Sequence, residues 1–363
     1  MHQIQLNKIA VRIIFLLALF MGLSMIGFSQ KDSTKKITFS AFGEFYYSYD
    51  FSKPNDHQKS PFIYNHKRHN EINANLVMAK ASFSDQNLRA NLALMVGNYA
   101  QYNLSNEPNW TQFLYEANLG VKLSKNHQLW LDVGIMPSHI GFESAISGDC
   151  WALTRSLLAE NSPYYESGLK LSYQTKNEKF IIAGMYLNGW QKIQKPDFIQ
   201  RPSFGIQATY KPNNRLLVDY SNFIGTDKPD SMHSFRHFHN TYLQYELSKK
   251  VSVLAGFDIG SESQNKRHLG IWYAPIFMYK HELGKKSRVA FRAEYYSDRN
   301  QIIIPTNTLI GFQTFGFSSN YDYDLNKKIR FRMEMKMLHS KGNIFADNRR
   351  DNFSITTNMT IKL

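Results

Sequence analysis

The segment DNFSITTNMTIKL, residues 351–363, alternates with a period of two. Phe353, Ile355, Met359, Ile361 and Leu363 share one face with only Thr357 among them. Asn352, Ser354, Thr356, Asn358, Thr360 and Lys362 take the other. Successive side chains of a strand point to opposite sides, so this pattern predicts a strand with one apolar face and one polar face. A membrane-barrel wall needs such a strand, apolar toward lipid and polar toward the lumen.

The pattern recurs upstream. Leu88, Ala90, Leu92, Leu94 and Val96 oppose Arg89 and Asn91, and Tyr115, Ala117, Leu119, Val121 and Leu123 oppose Glu116, Asn118 and Lys122. Ile329, Phe331, Met333, Met335 and Met337 oppose Arg330, Arg332, Glu334 and Lys336. A soluble sandwich accounts for any single strand of this kind. The order of the connections separates the two architectures. Short turns at residues 84–87, 124–128, 175–179, 211–215, 248–250, 283–287 and 325–328 alternate with long polar connections. The long ones are centred near Pro54, Asn106, Asp149, Pro196, Pro229, Gln264, Pro305 and Asp347. This alternation predicts an all-β, transmembrane, antiparallel up-and-down barrel of about 16 strands with short periplasmic turns and long external loops. The expected strand from Trp272 to Lys280 is unusual, because both faces are apolar or aromatic and Pro275 lies inside it. A bulge or a plugged wall is expected there.

The N-terminus sets the compartment. Lys8 and Arg12 precede an apolar run from Ile13 to Ile26, too short for a stable membrane anchor, and Gly27-Phe28-Ser29 offers a peptidase site. Residues 1–29 are expected to be a cleaved signal peptide and residues 30–363 a single barrel domain. No later stretch is apolar for long enough to be a membrane helix. The mean hydropathy of −0.42 does not distinguish a soluble protein from a barrel whose strands send half their side chains into water. With only Cys150, neither an intramolecular disulfide nor a CxxC metal site can form.

FSAFGEFYYSY, residues 39–49, runs into DFSKP and then FIYNHKRHNEINANLVMAKASF. Together with the central GIMPSHIGFESA and SPYYESGLKLSY, these stretches resemble the OmpL-like β-barrel porins of Bacteroidota. The resemblance spans the whole mature chain. It implies an outer-membrane porin and names no solute.

In a barrel of this size the wall would enclose water, and whatever narrows it would set conductance. The longest connection, Ser138 to Tyr164, lies between the expected strands 5 and 6, and by analogy with general porins it is the candidate constriction. Its aliphatic residues Ile140, Phe142, Ile146, Leu153, Leu157 and Leu158 need a surface to cover, which favours an inward fold over a solvated external loop. A short helix is expected from Trp151 to Glu160. Glu143, Asp149, Arg155 and Glu160 are the expected constriction charges, and Arg288, Arg292, Arg330, Arg332 and Glu334 the expected pore-wall residues. Nine basic and eleven acidic residues fall on the expected lumen face, so weak, loop-dominated selectivity is expected.

The net charge of +14 falls to +12 without Lys8 and Arg12, and eleven Lys and Arg sit in the short turns against Asp85 and Glu178. Most of the excess is therefore expected at the periplasmic rim, beside anionic lipid headgroups. No basic helix or zinc module supports nucleic-acid binding. His233, His237 and His239 lack a nearby carboxylate or thiol, and no cofactor, metal site or catalytic trio is expected. The expected partners are outer-membrane lipids and small hydrophilic solutes, with a homo-oligomer an open alternative. About 334 mature residues exclude a 22-stranded transporter with a plug. Two rivals to a diffusion channel stay open: a structural or adhesive barrel with a blocked lumen, and an enzyme built on a barrel wall.

Overall fold

The computed structural model describes residues 36–264, 268–306 and 308–363. The first strands are β1 (Lys36–Asp50), β2 (Ile72–Ser84), β3 (Leu88–Val96), β4 (Leu114–Lys122), β5 (Gln128–Pro137) and β6 (Tyr165–Gln174). They are followed by β7 (Phe180–Leu187), β8 (Ser203–Asn213), β9 (Leu216–Gly225), β10 (Arg236–Glu246) and β11 (Val251–Gln264). The wall is completed by β12 (His268–Glu282), β13 (Ser287–Asp298), β14 (Phe312–Asp324), β15 (Ile329–Ser340) and β16 (Asp351–Lys362). These 16 strands form one closed barrel in sequence order, with β16 antiparallel to β1 from Phe42 opposite Lys362 to Asp50 opposite Ser354. Closure leaves no unpaired edge. The expected signal peptide, residues 1–29, lies outside the described residues.

The alternation read in the sequence is the alternation of the wall. Phe353 and Met359 of β16 and Met335 and Met337 of β15 are exposed on the outside, while Ser354, Asn358, Glu334 and Lys336 are buried inside. Three expectations need correction. The connection near Gln264 is not long: β11 ends at Gln264 and β12 begins at His268, and the ladder runs unshifted to the Gln264–His268 pair. The polar residues Ser261, Glu262 and Ser263 resemble a loop in composition but belong to the strand. The register of β12 likewise passes through Pro275 opposite Phe257 without a shift, so there is no bulge there. Pro275 has no N–H to donate, and pairing with β13 lapses between Tyr273 and Ile276. A bulge sits instead in the β3–β4 ladder, where Ala93 pairs with Glu116 and Leu94 with Leu114. Two residues then oppose one. Tyr115, expected on the lipid face, packs its ring 6.2 Å from that of buried Tyr99.

The long connections turn into the barrel. Phe62 and Ile63 from the first, Tyr99 and Leu104 from the second and Leu157, Leu158 and Tyr164 from the third share one buried cluster with Met78, Met185, Trp272, Ile276 and Tyr296 of the wall. The apolar inner face of β12 is therefore covered by loop side chains, as a plugged wall requires. Trp272 and Leu153 are about 1% and 0% exposed, so apolar contacts replace water on this side of the lumen.

Candidate functional site

The third external connection, L3 (residues 138–164), crosses the lumen and is tied to the wall at both ends of its path. At its root His139 bridges two strands: Nδ1 lies 2.6 Å from Glu166 Oε2 of β6, and Nε2 lies 2.8 Å from the Asn222 carbonyl of β9. A Cβ at position 205 would stand 2.7 Å from the His139 ring, so glycine on β8 makes room for this crossing. Phe142 then packs on Tyr242 of β10, ring centroids 5.5 Å apart.

The far part of L3 is held by β13, β14 and β15. Arg332 donates to the carbonyls of Ser147 (2.5 Å), Cys150 (3.0 Å) and Trp151 (3.3 Å), while its Nε pairs with Asp322 at 2.7 Å. Arg292 donates to the Thr154 carbonyl at 2.8 Å and pairs with Glu334 at 2.9 Å. Glu334 accepts from the Thr154 N–H (2.5 Å) and hydroxyl (2.9 Å), and Asn320 accepts from the Leu153 N–H at 2.9 Å. These bonds take backbone groups that a helix would use. The helix expected from Trp151 to Glu160 is accordingly reduced to one turn, α1 of the lumen (Leu157–Glu160), whose Ser156 hydroxyl caps the Ala159 N–H at 3.1 Å.

Only one of the four expected constriction charges meets water freely. Glu143 is buried, accepting from the Ser156 N–H at 2.9 Å and lying 3.6 Å from Arg292. Arg155 is fully buried and donates to the carbonyls of Ser144 (2.6 Å) and Leu153 (2.9 Å). Glu160 is buried and accepts from the Tyr64 N–H at 2.8 Å. Burial pushes its carboxyl up, and the Tyr64 bond draws it back. Asp149 is half exposed and pairs with Lys362 at 3.1 Å. Among the expected wall residues, Arg292, Arg332 and Glu334 are buried under L3. Arg330 donates to the Gly148 carbonyl at 3.1 Å and pairs with Asp324. Arg288 faces Asp324 and Asp322 toward the short-turn end. Arg292, Arg330 and Arg332 thus hold L3 carbonyls while pairing with wall carboxylates, and Arg292 also faces Glu143 of the loop. His139 and Asn320 are the important residues that sequence spacing could not show, because their partners are distant in the chain.

Three cavities flank the crossing. Two lie at the long-loop end, about 470 Å³ beside Lys59, Lys67 and Tyr102 and about 250 Å³ beside Glu160, Arg236 and Trp190; they share Tyr64, Tyr102 and Ser105. Burial pushes the Lys59 ammonium down to about 8, partly offset by Asp50. The third, about 420 Å³, lies at the short-turn end against β3 and β5 to β10 and shares no lining residue with the outer two. Its lining stops at Ala183, Asp219 and Tyr242. The next inward residues along those strands, Met185, Ser221 and Asn240, are buried. Of the expected histidine group, His239 bonds the Tyr220 hydroxyl at 2.8 Å and His233 lies 3.3 Å from Arg201. No metal-binding cluster occurs among the described residues.

The closed 16-stranded wall is similar in fold to several solved outer-membrane proteins. The anion-selective porin from Comamonas acidovorans aligns with a TM-score of 0.60 at 11% identity, over 91% of this chain and all of that one. The trimer form of OmpT, an outer membrane protein of Vibrio cholerae, aligns at 0.58 and 9% identity over 91% and 100%. The outer membrane channel DcaP of Acinetobacter baumannii aligns at 0.56 and 9% over 93% and 99%. No curated protein matches the chain by sequence. Residues 36–363 match the family described as "Putative beta-barrel porin-2, OmpL-like", and the chain belongs to that family of outer-membrane barrels.

Proposed function

We propose that this porin is a passive diffusion channel for small hydrophilic solutes and that L3 is its constriction. The observation that carries the reading is the fixing of L3 between His139 on one side of the lumen and Arg292 and Arg332 on the other. Cavities approach that level from both ends, so solute flux is set by the loop and not by the wall. The reading includes export by a cleaved leader, residues 1–29, and a barrel domain of residues 30–363. It also includes a lipid-facing homo-oligomer, for which the trimer form of the Vibrio protein is the support. It includes no enzymatic step. The buried histidines His66, His69 and His139 bond carboxylates or backbone groups, and none bonds a serine, threonine or cysteine among the described residues. Burial of three loop charges leaves the basic short-turn cavity to bias the pore. A modest anion preference therefore replaces the weak, loop-dominated selectivity read from sequence, in line with the name of the Comamonas porin.

One observation favours a second reading, a structural barrel with a blocked lumen: the apolar cluster of loop and wall side chains inside it. Single-channel recording separates the two. The wild-type protein is expected to conduct in a planar bilayer, and removing Ser144 to Asn161 is expected to raise the unit conductance severalfold. A conductance indifferent to the deletion overturns L3 as the constriction. A silent wild type that conducts after deletion establishes the plug.

A further inference from the structure

The short-turn cavity carries chemistry that a water-filled vestibule does not need. Arg89, Lys170 and Lys211 line it against a single carboxylate, Asp219. Arg89 is committed: its Nε donates to Asp132 at 2.6 Å and its guanidinium lies 4.5 Å above the Trp130 ring. Lys170 and Lys211 form no ion pair within 4 Å among the described residues; Lys170 is near enough to Asp219 to feel its charge, and Lys211 is exposed at the mouth. Asp219 is oriented by the Thr209 hydroxyl and by Gln207 at 3.2 Å, both on Oδ2. Its Oδ1 is buried with no hydrogen-bond partner among the described residues. An orphaned buried acceptor of this kind calls for a donor. Trp130 supplies a flat apolar wall.

Free cations on one side and an unused carboxylate oxygen on the other suit a solute that bears both a negative group and hydroxyl donors. A bare inorganic anion satisfies the lysines and is repelled by Asp219. A neutral sugar satisfies Asp219 and leaves the lysines unmatched. About 420 Å³ lies within the range of roughly 300–1,000 Å³ usual for small-molecule sites. We propose that the cavity formed by Arg89, Trp130, Lys170, Lys211 and Asp219 is a binding site for a hydroxylated carboxylate of monosaccharide size. The proposal deepens the channel reading, since it rests on that reading for the solute to be cargo.

Binding is measurable without conduction, because Trp130 lies in the site. Purified barrel in detergent is titrated with glucuronate, glucose and acetate, and the Trp130 contribution is taken by difference from Trp130→Phe. Saturable quenching by glucuronate is expected, with glucose and acetate at least about tenfold weaker. Lys170→Gln with Lys211→Gln should weaken glucuronate about tenfold, and Asp219→Asn should bring glucuronate close to acetate. Heat-modifiable gel migration certifies that each variant is folded. Absence of saturable quenching in folded wild type overturns the site, as does binding that survives the double lysine change or treats glucose and glucuronate alike. A conducting channel with no quenching sinks the site alone, whereas quenching in a barrel that never conducts keeps the site and sinks the channel.

Discussion

Arg332 and Asp149 belong to the same interface and have opposite consequences. Arg332 is fully buried between Asp322 and three L3 carbonyls, whereas Asp149 reaches Lys362 from a half-exposed position. Removing one partner of a buried ion pair costs roughly 3–5 kcal/mol because the other charge is left uncompensated. An exposed pair contributes about 0–1 kcal/mol. Arg332→Met should therefore lower the temperature at which the barrel loses its compact gel mobility and should open L3 to protease between Ser144 and Asn161. Asp149→Asn should leave both unchanged. Equal behaviour of the two variants would show that L3 is not held from the wall. The sequence marks all these residues as charged and puts Arg332 on the pore wall and Asp149 in the loop. It could not say which charges face water, because Glu143 meets Arg292 and Glu160 meets Tyr64 only after the barrel closes.

Strands were the most legible elements, since a two-residue period is local and every strand repeats it. Leu92 of β3 is exposed on the outside of the wall and Gln174 of β6 faces the open inner cavity. Glu334 of β15 shares the inward direction of Gln174 but is buried under Thr154 and Arg292. Leu92→Arg should impair assembly into bilayers, because a cation near the midplane costs roughly 2–4 kcal/mol. Gln174→Arg should fold normally. Glu334→Arg should fail, although alternation alone puts it in a watery lumen, because it sets a second cation against Arg292 and orphans the Thr154 donors. Normal folding of Glu334→Arg would mean that L3 does not rest on β15. The elements that sequence missed have the same origin. Tyr115 turns inward at a bulge, and the expected Trp151–Glu160 helix shrinks because wall arginines take the Trp151 and Thr154 carbonyls that it would use.

At the scale of the whole molecule, the protein has two structures with different sources of stability. The wall is a closed hydrogen-bonded ladder that cannot fray from an edge. The contents of the lumen are loops, held by apolar packing around Trp272, Tyr296, Leu157 and Phe62 and by scattered bonds to wall side chains. Such contents can loosen locally at a lower free-energy cost than the ladder. Heating the purified barrel should abolish near-ultraviolet dichroism from the buried aromatic rings before the far-ultraviolet β signal or the compact gel mobility changes. Channels reconstituted from samples held in that interval should show larger unit conductance than unheated ones, because the wall persists while L3 no longer crosses it. Coincident loss of both signals would mean that wall and contents are one cooperative unit, and a lumen emptied in this way would then never exist as a separate state. Alternation and turn order made the wall predictable in advance. The filling was not, because the buried partners of Leu153 and Arg155 come from distant strands and that of Tyr164 from the first connection, and only closure brings them together.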